Sequence, residues 1–291
     1  MTAINLAAAL ATARQAAEKA APILQHYAQH RKALTIDFKQ HNDLVSQADR
    51  EAEQAIIQVL KAGTPDYGLI GEESGGRADG PAFWVIDPLD GTTNFLHGLP
   101  FYAISIALVA QAGQTLDTGA TTSTVEPIVG LVYDPNRNEF FTACHGQGAW
   151  LNQQRIHCSP ANDTSQALLS TGFPFRDFSF SEQYFPMMIA AMENTRGIRR
   201  IGAAALDLAW VACGRFDGYW EMGLAPWDVA AGTLIAREAG ALCADLYHQE
   251  PWPASGDIYC ANPSLAKALH EQFFAPHLTT RQGPTPEWMA V

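Results

Sequence analysis

Long apolar runs are missing from this 291-residue chain. None of its hydrophobic stretches nears the roughly 20 residues that a membrane-spanning helix needs. The Ala-rich start, residues 1–30, is interrupted by Gln15, Glu18 and Gln25 and lacks the continuous apolar centre of a secretion signal, so a cytoplasmic location is expected. Cysteine is scarce. Cys144, Cys158, Cys213, Cys243 and Cys260 are scattered, odd in number and without a C-x-x-C pair, so neither a disulfide scaffold nor a zinc site is expected. Basic residues are few: 18 Lys and Arg face 30 Asp and Glu, a net charge of −12, which argues against a bulk grip on nucleic acid and suits a protein that binds cations. Charged residues make up only 16% against 47% hydrophobic, which excludes a disordered chain.

What is present changes its period along the chain. Apolar residues at three- to four-residue spacing predict a helix over 2–30 and a second over Val45–Lys61. Short β-type runs follow at Tyr67–Ile70, Phe83–Ile86, Ile104–Val109, Ile128–Tyr133 and Glu139–Thr142. Beyond Ala167 the elements alternate, with strands at Leu168–Ser170, Phe216–Trp220 and Ile258–Cys260 and helices at 181–194, 203–213, 227–239 and 263–274. Gly113–Pro127 reads as a polar loop and 276–291 as an irregular tail. Without an obvious linker or repeat, residues 1–275 are expected to form one functional domain, with an α+β half to about 160 and an α/β half from about 161.

Acids concentrate in three places: Gly71-Glu72-Glu73-Ser74 after an apolar run, Trp84–Phe95 with Asp87-Pro88-Leu89-Asp90-Gly91-Thr92-Thr93 at its heart, and Glu221–Asp228. Asp87 and Asp90 at the end of a stiff strand, with the Leu89 carbonyl between them, supply the oxygen ligands that a hard cation wants. Gly91-Thr92-Thr93 offers N–H groups suited to phosphate oxygens. Each segment has a structural explanation of its own: a strand-to-turn stop, a solvated turn, an acid in a helix's first turn at Asp228, a capping box at Ser46 and Asp49. Their co-occurrence in one chain favours chemistry.

Together these motifs resemble the inositol monophosphatase family, from about Leu6 to about Leu269, with Gly172–Arg176 and Arg199–Ala209 similar to its bacterial members. The resemblance implies a layered αβαβα sandwich of the inositol monophosphatase and fructose-1,6-bisphosphatase type, with two or three Mg²⁺ ions, lithium sensitivity and a homodimer. It further implies that Glu72, Asp87, Asp90, Asp228 and the Leu89 carbonyl ligate metal, with Glu73 near a weaker third ion. Thr92 resembles the residue that orients the attacking water, together with Glu72, and Asp49 its hydrogen-bonding partner. Gly91 and Thr92 would meet the phosphate; Ala204, Glu221, Asp90 and Asp228 would meet the substrate's alcohol. The family often carries Ser or Thr where Ala203 stands, and bacterial members often carry Arg at Ala225.

The expected reaction is hydrolysis of inositol 1-phosphate by in-line attack of water, with no covalent intermediate. A 3′-phosphoadenosine nucleotide, fructose 1,6-bisphosphate or histidinol phosphate would suit the same acids, and a regulatory member binding RNA or protein stays open. For the cluster Arg196, Arg199 and Arg200 a solvated edge is the preferred reading, and His97 is expected in a loop or in solvent rather than on a metal.

Overall fold

The computed structural model describes residues 3–31, 34, 36–40, 43–173, 178–248, 250 and 252–279. Helix α1 (Leu6–Gln29) is capped by Asn5, whose side chain accepts from the Ala8 N–H. Its buried face is built almost wholly of alanine: Ala9, Ala13, Ala16, Ala17, Ala20 and Ala21. A hairpin of β1 (Ile36–Gln40) and β2 (Asp43–Ser46) leads into α2 (Gln47–Gly63). The chain then runs through β3 (Gly68–Gly71), β4 (Gly75–Arg77), β5 (Ala82–Asp90) and the short α3 (Thr92–His97). Strands β6 (Ala103–Ala110), β7 (Glu126–Asp134), β8 (Glu139–Cys144), β9 (Ala149–Leu151) and β10 (Gln154–Ile156) complete an eight-stranded sheet of order β10-β9-β8-β7-β6-β5-β3-β4.

The second half alternates: β11 (Leu168–Thr171), α4 (Ser181–Asn194), β12 (Gly197–Arg199), α5 (Ala204–Ala212), β13 (Gly218–Glu221), α6 (Pro226–Glu238), β14 (Leu242–Asp245), β15 (Ile258–Ala261) and α7 (Pro263–Leu269), followed by a π-helical stretch to Phe274. Its strands form a sheet of order β12-β11-β13-β15-β14.

Strand alternation turns these elements into five layers. In β5, Trp84 and Ile86 point into a core shared with α1 and α2, while Phe83 and Val85 point into a core shared with α5 and α6. In the smaller sheet Tyr219 and Cys260 face that same inner core, whereas Trp220 and Tyr259 join Tyr184, Met187 and Leu265 from α4 and α7. Near-continuous apolar sequence in β5 and β6 is therefore required, because both faces are covered. Helices α5 and α6, buried between two sheets, are apolar nearly all round. The order is helix, sheet, helix, sheet, helix, as expected.

Several boundaries move. Strand β5 runs on to Asp90 rather than stopping at Ile86, its ladder with β6 becoming irregular between Asp87 and Asp90. The 113–127 stretch is not a free loop. Leu116 is buried, Thr115 accepts from the Ile4 N–H at 2.9 Å, and β7 begins at Glu126. Hairpin β1–β2 and strands β4, β9, β10, β12 and β14 are too short for periodicity to reveal. One expectation is corrected outright: Cys243 and Cys260 form a disulfide. They are 17 residues apart in sequence, but antiparallel register sets them directly opposite on β14 and β15, Cα to Cα 4.2 Å. Spacing along the chain carries no trace of such a cross-strand pair. Pro174-Phe175-Arg176 and the tail beyond Thr279 lie outside the described residues.

The alanine face of α1 leaves no room for larger side chains. Ala17→Leu, at a fully buried position, is expected to destabilise by about 1–3 kcal/mol. Ala11→Leu, on the exposed face, is expected to stay within about 0.5 kcal/mol. Urea unfolding of both variants checks the pair.

Candidate active site

The irregular end of β5 is where the acids gather. Asp87 and Asp90 are 2% and 8% exposed. The Asp87 carboxylate turns back on its own chain and accepts from the Leu89 N–H at 2.9 Å, the side-chain-to-backbone loop that aspartate readily makes before a turn. Asp90 accepts from the Ala205 N–H at 2.7 Å, so the first turn of α5 is fastened to β5 across 115 residues of sequence. Asp228 comes from the first turn of α6, where Pro226 suits the opening position and the carboxylate accepts from the Ala225 N–H at 2.7 Å. The Ser105 hydroxyl donates to the Trp227 carbonyl at 3.0 Å and ties that helix start to β6. Oxygens of Asp87, Asp90 and Asp228 all lie within 4.8 Å of one another.

Glu72 reaches the same place from the turn after β3; its N–H donates to the Ile86 carbonyl at 3.2 Å and its carboxylate stands beside Asp87. Thr92 opens α3 just past Gly91, whose φ of +93° is a left-handed conformation that glycine adopts without strain. A Cβ on Gly91 would also stand 2.7 Å from the Phe101 carbonyl. The Thr92 hydroxyl donates to Asp49 at 3.0 Å and stands 3.1 Å from the Leu89 carbonyl. Asp49 is itself held by the Ser46 N–H and hydroxyl, at 2.9 and 2.6 Å, so the capping box read from sequence is real and its acid also reaches Thr92. The first-turn N–H groups of α3 have no intrahelical acceptor.

On the far side Glu221 ends β13, 7% exposed, and accepts from the Tyr219 hydroxyl at 2.7 Å. A Cβ on Gly172 would overlap its carboxylate, so a side chain there would push Glu221 out of this position. Ala204 is the first residue of α5, next to the amide that holds Asp90. His97 is exposed at the end of α3. Two buried polar residues beside the site were not foreseen. The Asn94 amide donates to the carbonyls of Phe101, Ile201 and Gly202 at 2.8, 2.8 and 3.1 Å, fixing the loop ahead of α5. Glu53 on α2 accepts from the N–H groups of Glu73 and Ser74. Glu53 sits in an otherwise ordinary helical pattern, where only burial separates it from a surface position, and Asn94 lies inside the Trp84–Phe95 run, but its distant partners are set by the fold.

Burial pushes Asp87 well above the usual carboxylate range, and its neighbours Glu72, Asp90 and Asp228 push it further. Asp90 is raised for the same reasons, burial first and then Asp228. Burial likewise raises Asp49, against the hydrogen bonds from Ser46 and Thr92 that favour its anion. Acids raised in this way bind more protons folded than unfolded, so their contribution to stability is present at low pH and is lost as pH rises through their folded values. A divalent cation would reverse the repulsion, and an all-oxygen set of carboxylates with one backbone carbonyl is the donor chemistry that a hard cation takes. In a chelator the melting temperature is therefore expected to fall between about pH 5 and about pH 8. Added Mg²⁺ is expected to raise it more at the higher pH, where fewer protons compete. Scanning fluorimetry at both values reads this.

Comparison with known proteins identifies the family. The sequence profile described as the inositol monophosphatase family matches residues 5–278. A putative Nus factor SuhB of Neisseria meningitidis is 43% identical over 258 residues, 88% of this chain and 94% of that protein. The Nus factor SuhB of Escherichia coli K12 is 41% identical over 257 residues, 88% and 91% of the two chains. Among solved structures, the extragenic suppressor protein suhB of Bartonella henselae superposes with a TM-score of 0.81 at 36% identity, covering 90% of this chain and 96% of its own. An inositol monophosphatase from Anabaena gives 0.75 at 33%, covering 90% and 94%. A matched profile over nearly the whole length, with relatives above 40% identity on most of both chains, leaves one conclusion: this chain belongs to the inositol monophosphatase family.

Proposed function

We propose that this protein is a Mg²⁺-dependent phosphatase that hydrolyses inositol 1-phosphate to inositol and phosphate. The observation that carries the reading is the convergence of Asp87, Asp90 and Asp228 within 4.8 Å, beside the open amide end of α3. Asp87, Asp90 and Asp228, with Glu72 and the Leu89 carbonyl, would hold the ions. Bound there, Mg²⁺ supplies an acidified water and neutralises charge on the phosphate and the leaving oxygen.

The chain's own groups do the rest. Thr92, having donated its proton to Asp49, can only accept from the water, which turns the water's lone pair outward toward phosphorus. Glu72 accepts the water's other proton. The N–H groups of Gly91 and Thr92 would donate to phosphate oxygens, holding the phosphoryl group in line with the water. Asp90, Ala204, Glu221 and Asp228 border the alcohol portion; buried acceptors there favour a polyol that donates hydroxyl protons. The carboxyl of Glu221, steadied by Tyr219, is suited to such a contact.

Phosphate release from inositol 1-phosphate, with and without Mg²⁺ and with millimolar Li⁺, tests the reading. Mg²⁺-dependent, Li⁺-inhibited release is expected to exceed that from 3′-phosphoadenosine nucleotides, fructose 1,6-bisphosphate and histidinol phosphate. Faster release from one of those would keep the site and change the substrate. Asp90→Asn is expected to lower turnover by more than about a hundredfold, beyond the usual cost of losing an outer ligand partner. Its melting temperature in chelator should hold or rise, because a buried charge is removed while an oxygen for the Ala205 N–H is kept.

A second reading draws on the relatives named Nus factor SuhB: a regulatory role in binding RNA or protein. Arg196, Arg199 and Arg200 are exposed on the smaller sheet's edge and form the candidate contact. RNA retention that falls with salt, and is lost on replacing these arginines, would favour that role over catalysis. A cytoplasmic homodimer fits either role. Phe185, Ile189 and Met192 recur on the outer face of α4, 43, 53 and 59% exposed, and such a stripe suits burial against a second copy. Light scattering reads the mass directly; a monomer at micromolar concentration would remove the dimer.

A further inference from the structure

The turn that carries Glu72 has no regular structure of its own to hold it. Between β3 and β4 the chain reverses through Glu72, Glu73 and Ser74. Glu53 sits under this turn, 2% exposed, with one carboxylate oxygen 2.8 Å from the Glu73 nitrogen and the other 2.8 Å from the Ser74 nitrogen. The approach is close enough to constrain β3: a Cβ on Gly71 would stand 2.7 Å from the Glu53 carboxylate.

A carboxylate is an expensive way to fasten a turn inside an acidic pocket, since burying a charge costs more than burying an amide. Only a carboxylate, however, presents two acceptor oxygens to two adjacent N–H groups at once. Glu53 also stands one helical turn beyond Asp49 on α2, and residues four apart lie on one helix face. Asp49 accepts from the Thr92 hydroxyl. One rigid face of α2 thus touches Thr92 through Asp49 and, through Glu53, the turn that carries Glu72.

We infer that Glu53 is a positioning residue for the metal site, holding the Glu72 turn at the reach from Asp87 that a shared divalent cation requires. This rests on the metal-dependent reading of the site. Outer partners of metal ligands commonly change affinity or activity 10–100-fold when removed. Glutamine at position 53 keeps one acceptor and turns an N–H₂ donor against a backbone N–H, so the turn is released with little change in volume.

The test is Mg²⁺ binding by isothermal titration calorimetry on the full chain, with the Mg²⁺ dependence of phosphate release beside it. Glu53→Gln is expected to raise both the dissociation constant and the half-saturating concentration by about 10–100-fold, with turnover largely recovered at saturating Mg²⁺. Glu53→Asp, which keeps both acceptors on a shorter arm, should fall between that variant and the native protein. Gly71→Ala displaces the same carboxylate from the other side and is expected to act in the same direction; it replaces Glu53→Gln in the test if that variant does not fold. Mg²⁺ affinity within twofold of native, even with a lowered melting temperature in chelator, would overturn the inference and leave Glu53 a purely structural clamp. A native chain that binds no Mg²⁺ would instead overturn the metal-dependent reading itself.

Discussion

Several carboxylates buried together cannot all carry their charge unless positive charge is brought among them. Asp87, Asp90 and Asp228 meet under that constraint, with Glu72 beside them, and much of the surrounding structure is what keeps them from moving apart. Each is fastened by a backbone N–H from an element other than the one a repulsive drift would follow, or by its own turn: Asp90 by Ala205, Asp228 by Ala225, Asp87 by Leu89. These bonds hold the three carboxylates together at one end of β5.

The layers explain how so irregular a site is held so firmly. Strand β5 is covered on both faces, and its pairing with β6 is regular as far as Asp87 and resumes at Asp90, with the irregular step between the two acids. Helices α5 and α6 lie in the core between the two sheets and bring their N-terminal turns to the same end of the molecule. Helix α2, from the opposite layer, touches the site through Asp49 and Glu53. Functional groups thus come from rigid elements in three layers, and the loops that join them are pinned by Asn94 and Glu53.

Much of this could be read from the residues, and the limits of that reading have physical causes. The long helices and apolar strands show in periodicity because burial forces a pattern on them. The acids of β5 and α6 stand out because a sheet interior does not tolerate them without a purpose. Glu53 escaped notice because a buried polar residue on a helix looks, in sequence, like a solvated one, and the role of Asn94, inside the Trp84–Phe95 run, was hidden because its partners Ile201 and Gly202 lie over a hundred residues away. The Cys243–Cys260 bridge escaped because strand register, not sequence spacing, sets the two thiols together. The stretch after Gly113 looked free because its anchor, the bridge from Leu116 to Ile4, joins segments that are distant along the chain.

The position of Asp228 on α6 has a consequence for synthesis. During translation β5 leaves the ribosome well over a hundred residues before α6, and the nascent N-terminal half carries Asp87 and Asp90 without their third companion or the α5 amide that secures Asp90. Closing so long a segment is slow relative to local pairing. The newborn chain therefore passes through its early folding with the three carboxylates still apart. The acid cluster is completed only in the final stage, when the inner helices dock, so a ligand that needed all three carboxylates would act as a latch on the completed molecule rather than a seed for it.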